Sequence, residues 1–176
     1  EAWLLKGDLL VRAKPGDKAQ QALAMAAYQQ AIQHKADSVG AHVALIGLHL
    51  ANGDDAGANK QLEALTKAAP RHPQTLLFDA MLAQKRGDAK HAREVAQQLL
   101  RGAPDNPQVL LVAGEAEFKL NNLSQAETYF AKALQQAPRM LPARMQLALV
   151  QLRSGQSDKT LATLAPVLEG ATPSVE

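Results

Sequence analysis

The chain contains no cysteine, and among its 176 residues there are only one tryptophan, two tyrosines and three phenylalanines. The lack of cysteine excludes disulfide bonds and thiol chemistry, and it leaves the redox compartment open. No segment combines β-branched and aromatic residues in the way a strand would. Alanine, leucine and glutamine dominate instead, and all three favour helix. We therefore predict an all-α chain packed through many small side chains.

Long apolar runs and strong charge are also missing. No run reaches the roughly 20 apolar residues that a membrane-spanning helix needs, and the start "EAWLLKGD" lacks the basic and apolar regions of a signal peptide. The formal net charge is only +2, which calls for neither nucleic acid nor an anionic membrane as partner. We expect no nucleic-acid binding and no direct membrane insertion by this fragment.

Familiar catalytic and metal-binding motifs are absent as well. The sequence has no GxxxxGK[ST] loop, no GxSxG and no HExxH. His42 and His49 are seven residues apart, about 10.5 Å along a helix, which is too far to share one metal ion. The pair Asp54-Asp55 falls in a turn between helices, where aspartate caps helices. We expect no catalytic residue, no metal site and no cofactor.

What the sequence does contain is a period of 34 residues. In "GAPDNPQ" (102–108), Pro104 follows the end of one helix, Asp105 or Asn106 is the N-cap, and Pro107 opens the next helix. Three further sets of positions repeat with the same spacing: prolines after a helix, residues that tolerate a left-handed helix end, and small residues where paired helices approach. These sets are Pro70, Pro104 and Pro138; Gly53, Gly87, Asn121 and Gly155; and Ala58, Ala92, Ala126 and Thr160.

A 34-residue period is the signature of tetratricopeptide repeats, and the chain resembles that family throughout its length. Trp3 and Gly7 match the start of a repeat, and Tyr28 and Ala31 match the end of its second helix. We predict one array with repeats at about 1–38 (with a five-residue insertion near Pro15), 39–72, 73–106, 107–140 and 141–174, cut from a longer array. The resemblance implies a right-handed superhelix, an α-solenoid of about five helix-turn-helix repeats.

Four residues depart from the family pattern, and the last helix of the array is left uncovered. Four polar residues, Asp79, Glu117, Arg144 and Gln151, stand where the family prefers apolar ones, so we expect them to snorkel or to change the stacking angle locally. The last helix carries four apolar residues with nothing after them to cover them: Leu161, Leu164, Val167 and Leu168. We expect this end to be exposed and to allow end-to-end self-association.

In the family, the first helix of each repeat lines a concave groove. Here the fifth, ninth and twelfth places of successive repeats form a largely apolar stripe, and the next place along adds a basic ladder of Arg12, Lys85, Lys119 and Arg153. The predicted partner-binding residues are Leu77, Met81, Gln84, Lys85, Leu111, Glu115, Phe118, Lys119, Met145, Leu149 and Arg153. Two structural explanations stay open: the apolar residues pack across a tight superhelix, and the basic residues complement helix dipoles.

Phrases such as "AAPRHPQ" and "LLVAGEAE" further resemble long tetratricopeptide proteins of bacterial exosortase/PEP-CTERM systems, lipoproteins encoded with exopolysaccharide genes. That resemblance implies a periplasmic location or an outer-membrane anchor facing the periplasm, with a cytoplasmic location as the alternative. Any lipid-anchored cysteine would lie outside this fragment.

Three functions are compatible with these features. The first is a non-enzymatic scaffold for a peptide or protein partner, working in exopolysaccharide or protein export or in surface sorting. The second is a module that binds an acidic polysaccharide through the basic ladder. The third is a structural spacer that stacks end to end.

Overall fold

The computed structural model describes residues 1–171, with side chains to residue 168; the predicted end of the fifth repeat lies outside this range. Within it the chain is helical and contains no strand. The described helices are α1 (Ala2–Ala13), α2 (Lys18–His34), α3 (Val39–Ala51), α4 (Asp55–Ala68), α5 (Pro73–Lys85), α6 (Ala89–Gly102), α7 (Pro107–Lys119), α8 (Leu123–Gln136), α9 (Leu141–Arg153) and α10 (Ser157–Ala171). In this part of the chain no helix is both long and apolar enough to cross a membrane.

Local chemistry sets the helix boundaries as predicted. The Asn106 side chain accepts hydrogen bonds from the backbone N–H groups of Gln108 (3.0 Å) and Val109 (3.2 Å), and Pro107 opens α7 directly after it. Asp54 caps α4 in the same way, by accepting from the Gly57 N–H at 2.8 Å. These caps satisfy backbone donors that the first helical turn leaves without partners.

The turns inside the helical hairpins use the left-handed conformation. Gly53, Gly87 and Gly155 have φ of 71°, 85° and 73°, and Asn121 has φ of 63°. These are the four positions at which the 34-residue period predicted helix ends of this kind.

The helices group into two compact units, Glu1–Asp79 and a second that begins at Ala80, so the boundary falls within α5. In unit 1, α2 packs against both α1 and α3, and α3 packs on α4. In unit 2, the helices from α6 to α10 each pack against the next one along the chain. The repeat boundaries stay a prediction, but α5, α7 and α9 begin at residues 73, 107 and 141, which are 34 residues apart.

Small residues let the paired helices approach closely. Ala58, Ala92 and Ala126 have no exposed surface, and Ala92 packs with Ala83 and Ala116. In unit 2 the buried ring of Phe130 lies directly against Gly114 and forms a cluster with Ala126, Leu147 and Val150. In unit 1 the ring of Tyr28 lies against Gly7 in the same manner. Glycine is required at both positions because a β-carbon there would overlap the ring.

Three of the four polar residues at expected apolar positions, Glu117, Arg144 and Gln151, form internal hydrogen bonds. Glu117 is only 5% exposed, and its Oε2 accepts from the Asn122 amide at 2.6 Å. Buried Gln151 accepts from the Thr163 hydroxyl at 2.8 Å. The Arg144 guanidinium donates to the backbone carbonyls of Thr163 and Pro138. The expectation that these groups snorkel is therefore wrong for Glu117 and Gln151, because bonded partners within the hairpins let them stay buried.

Candidate functional site

The first helices of successive hairpins lie side by side in unit 2. The Gln84 amide on α5 donates to the Val112 carbonyl on α7 at 2.6 Å. On the other side of α7, the Arg153 guanidinium of α9 lies 5.0 Å from the centre of the Phe118 ring. These two contacts join three neighbouring helices into one surface.

We call this surface the inner face of unit 2. Its residues recur at three- and four-residue intervals on each helix, which places them on one side of that helix. They are Met81, Gln84 and Lys85 on α5; Leu111, Glu115, Phe118 and Lys119 on α7; and Met145, Leu149, Leu152 and Arg153 on α9. Ten of the eleven predicted partner-binding residues are among them.

The remaining predicted residue, Leu77, lies one turn before Met81 on α5, in the part of that helix that belongs to unit 1. Its side chain is half-buried. Leu77 therefore belongs to unit 1 and lies outside the inner face of unit 2.

Large apolar side chains are accessible on this face. Met81, Leu149 and Met145 are 39%, 45% and 50% exposed, and Leu152 is more exposed still. Leu111 and Phe118 are half-buried because they also pack against the Phe130 cluster below them. The sequence left open whether the predicted stripe is accessible or packed away. In unit 2 it is accessible on α9 and partly packed on α7.

Glu115 is the single carboxylate of the inner face. Its side chain is half-buried, and this burial raises its pKa because the charged form loses solvation. The ammonium group of Lys119, one helical turn away, lowers the pKa by a smaller amount, and no hydrogen bond contributes to the shift. The centre of the face is thus a carboxylate held in a partly apolar setting.

The basic ladder runs along one edge of the face. Lys85, Lys119 and Arg153 are exposed, and each lies in the last turn of its helix. That position favours a cation through the helix dipole, in agreement with the explanation that the basic residues complement helix dipoles. Arg153 also lies over the Phe118 ring, an attraction of about 0.5–1 kcal/mol at an exposed site. Arg12, the ladder's member in unit 1, is exposed at the end of α1.

The equivalent positions of unit 1 form a different surface. Asp8 accepts a hydrogen bond from the Tyr28 hydroxyl at 2.8 Å, Gly47 has no side chain to offer, and Val43 and Leu50 are half-buried. The continuous exposed stripe described for unit 2 is therefore not reproduced at these positions.

Two further apolar surfaces are exposed. On α1 a shallow depression is lined by Ala2, Leu5, Leu9 and their neighbours. This surface was not predicted from the sequence, although the spacing of Leu5 and Leu9, one helical turn apart, could have indicated it. On α10, Leu161 and Leu168 are exposed as expected, whereas Leu164 and Val167 are half-buried. Self-association through this end stays a prediction.

Two of the histidines, His42 and His49, make polar contacts within unit 1. Buried His42 contacts the Ala36 carbonyl at 2.9 Å and the Gln61 amide, and His49 contacts the Asp54 carboxylate at 2.8 Å. Throughout the described residues, no group of three or more histidine, aspartate or glutamate side chains could hold a metal ion. The Asp54 pKa is lowered, first by the Gly57 N–H and then by His49, which fits a helix cap.

Comparison with known proteins supports the repeat assignment. A family model described as "Tetratricopeptide repeat" matches residues 79–140. Comparison with curated proteins finds no significant match. The chain is therefore assigned to this fold on its architecture and on the match over its middle region.

Solved structures share this architecture over nearly the whole chain. TTC0263, a thermophilic TPR protein of Thermus thermophilus, aligns with a TM-score of 0.74 at 20% identity, covering 97% of this chain and 90% of its own. MamA from Desulfovibrio magneticus RS-1, residues 41 to its end, aligns with a TM-score of 0.73 at 15% identity, covering 96% and 92%. YrrB, described as a TPR protein with an unusual peptide-binding site, aligns with a TM-score of 0.66 at 15% identity, covering 95% and 84%. At these identities the likeness shows the fold, and the predicted all-α tetratricopeptide class is confirmed.

Proposed function

We propose that the protein is a non-enzymatic scaffold whose inner face in unit 2 binds a peptide or protein partner. The observation that carries the proposal is the run of exposed Met145, Leu149 and Leu152 along α9, next to the partly exposed Leu111 and Phe118 of α7. Contiguous accessible apolar surface usually marks a partner site in a soluble protein. The peptide-binding site named for YrrB, a protein of the same fold, supports this choice of partner class.

An acidic polysaccharide is a weaker alternative. The basic ladder favours it, but each ladder cation already has a structural role at a helix end, and Arg153 is held over Phe118. Glu115 lies one helical turn from Lys119 of the ladder, and its charge would repel an acidic polymer. We therefore treat polymer binding as an outcome to be tested.

The setting we propose is a bacterial export or surface-sorting system with exopolysaccharide genes, in the periplasm. This part of the proposal rests on the resemblance of phrases such as "AAPRHPQ" to repeat proteins of exosortase/PEP-CTERM systems. Its test is the location of the full-length protein after separation of periplasm, membranes and cytoplasm.

Site-specific photo-crosslinking in the native host tests the proposed binding face. A photoreactive residue replaces Met145 or Leu149, since both side chains reach solvent, and exposed Gln97 on α6 is the control position. We expect one discrete protein captured from 145 and 149 and not from 97. Equal capture from all three positions, or none, would contradict a partner site on the inner face.

Surface variants test whether partner binding depends on the inner face or on any exposed apolar side chain. Leu149→Ser removes an exposed leucine from the inner face, and Leu161→Ser removes an even more exposed leucine from α10. We expect only Leu149→Ser to weaken binding of the captured partner, by about tenfold, which corresponds to about 1.4 kcal/mol. Purified acidic polysaccharide provides the comparison ligand, and salt-sensitive binding to it without any protein capture would favour the polymer alternative.

A further inference from the structure

The middle of the inner face has a chemical pattern that specifies the ligand more closely. The ninth positions of three successive repeats, one on each neighbouring helix, are Met81, Glu115 and Leu149. The two outer members are apolar and well exposed, and the central one is the half-buried carboxylate. A ligand crossing the three helices along this row meets an apolar group, an acid and an apolar group in turn.

Burial leaves the Glu115 carboxylate partly desolvated on the inner face. It carries a charge where solvation is reduced, and the Lys119 ammonium acts on it only through space. On α9, the Arg153 guanidinium lies over the Phe118 ring. A partly desolvated charge of this kind gains most from an opposite charge that arrives with its own hydrogen-bond donors.

We propose that the inner face of unit 2 takes an extended peptide segment in which a lysine or arginine pairs with Glu115 and apolar side chains on either side cover Met81 and Leu149. This proposal rests on the proposed function and names the chemistry of its partner. Packed helices are about 8–10 Å apart, and an extended chain advances about 3.1–3.4 Å per residue. The expected motif is therefore apolar, basic and apolar, with neighbouring members about three residues apart.

The basic ladder limits how many positive charges the ligand carries. Lys119 and Arg153 are exposed at the helix ends beside the row, and they repel any basic residue that is not placed at Glu115. A single central cation fits this surface, and a polybasic segment does not. The number of basic residues in the bound peptides therefore provides a second test of this arrangement.

Selection from a random peptide display library on the purified full chain tests the inference. Three targets are compared: the natural sequence, Glu115→Gln, and Glu94→Gln as a matched removal of an exposed carboxylate on α6. We expect peptides from the natural sequence and from Glu94→Gln to be enriched in one central lysine or arginine flanked by apolar residues. On Glu115→Gln we expect the apolar enrichment to persist and the basic enrichment to disappear.

Affinity of one selected peptide then tests the pairing directly. Replacing its lysine with the neutral isostere norleucine should weaken binding to the natural sequence by tenfold or more, and should leave binding to Glu115→Gln nearly unchanged. Equal losses on the two targets would overturn the inference, as would basic enrichment that survives Glu115→Gln. Because glutamine has nearly the shape of glutamate and carries no charge, misfolding is not expected, and circular dichroism verifies it.

The outcomes also distinguish this inference from the proposed function. Apolar peptides without basic enrichment, whose binding is lost in Leu149→Ser, would leave the scaffold function standing and refute the role of Glu115. Failure to select any peptide that depends on Leu149 would refute both.

Discussion

Replacing Gly114 with alanine should destabilise unit 2 although alanine is the better helix former. A β-carbon built on Gly114 lies 2.5, 2.7 and 2.9 Å from three carbons of the Phe130 ring, whereas ordinary contacts are 3.4–4 Å. The ring is fully buried against Ala126, Leu147 and Val150, so it has no free space into which to withdraw by roughly 1 Å.

The size of the effect follows from two opposing terms. Overpacking at a fully buried ring costs about 3 kcal/mol, at the upper part of the usual range. Replacing glycine in a helix interior returns about 1 kcal/mol through helix propensity. We therefore expect a net loss of about 2 kcal/mol, or roughly 4–8 °C in Tm for a chain of this length.

Urea and thermal unfolding followed by circular dichroism at 222 nm measure the loss. Gly47→Ala is the matched control, because Gly47 lies inside α3 with nothing within 4 Å of a built β-carbon, and this substitution should stabilise by about 1 kcal/mol. Combining Gly114→Ala with Phe130→Leu should cost less than the sum of the two single changes, since leucine vacates the space that the new methyl group needs. If Gly114→Ala proved as stable as the natural sequence, or if the double variant were additive, the proposed clash would be refuted.

Two further predictions concern buried polar groups. Burial and, to a smaller extent, the hydrogen bond to Asp8 raise the Tyr28 pKa. The native state therefore keeps a phenolic proton that the unfolded chain loses near pH 10. The contribution of this proton to the free energy of unfolding is complete below pH 10 and falls as the pH rises above 10. The urea midpoint should therefore drop between pH 9 and 11 by more in the natural sequence than in Tyr28→Phe, and equal drops would contradict the assignment. Asn122→Ala should cost about 2 kcal/mol in urea unfolding because it leaves the buried Glu117 carboxylate without its amide donor. Adding Glu117→Leu should restore most of that loss, and failure to restore it would point to another role for Asn122.

Much of the helical framework could be predicted from the sequence because it depends on residues only a few positions apart. The Asn106 cap reaches no further than Val109, and Pro107 acts at the helix start itself. The left-handed turn at Asn121 is likewise a property of that residue and its immediate neighbours. Interactions of this range are visible in a single 34-residue period.

The positions of the candidate-site residues could be predicted from the sequence, but their burial and surroundings could not. Periodicity placed Glu115 and Leu149 at equivalent points of successive repeats, but it could not tell that one is half-buried and the other 45% exposed. Glu117 is a second example. The family pattern prefers an apolar residue at this position, yet Glu117 is buried and accepts a hydrogen bond from Asn122. Exposure depends on which side chains of neighbouring helices lie over a residue, and a one-dimensional pattern does not contain that information.

The sequence by itself determined the all-α class, the helix ends and the register of the inner-face positions, because propensity, capping and hydrophobic periodicity act within a few turns of chain. Only the tertiary structure decided that Gln84 reaches the Val112 carbonyl and that Arg153 lies over Phe118. It also decided that Glu115 is the partly desolvated centre of that surface. These features arise where helices from different hairpins meet, and the distances and burial that create them are set by packing between residues about 30 positions apart.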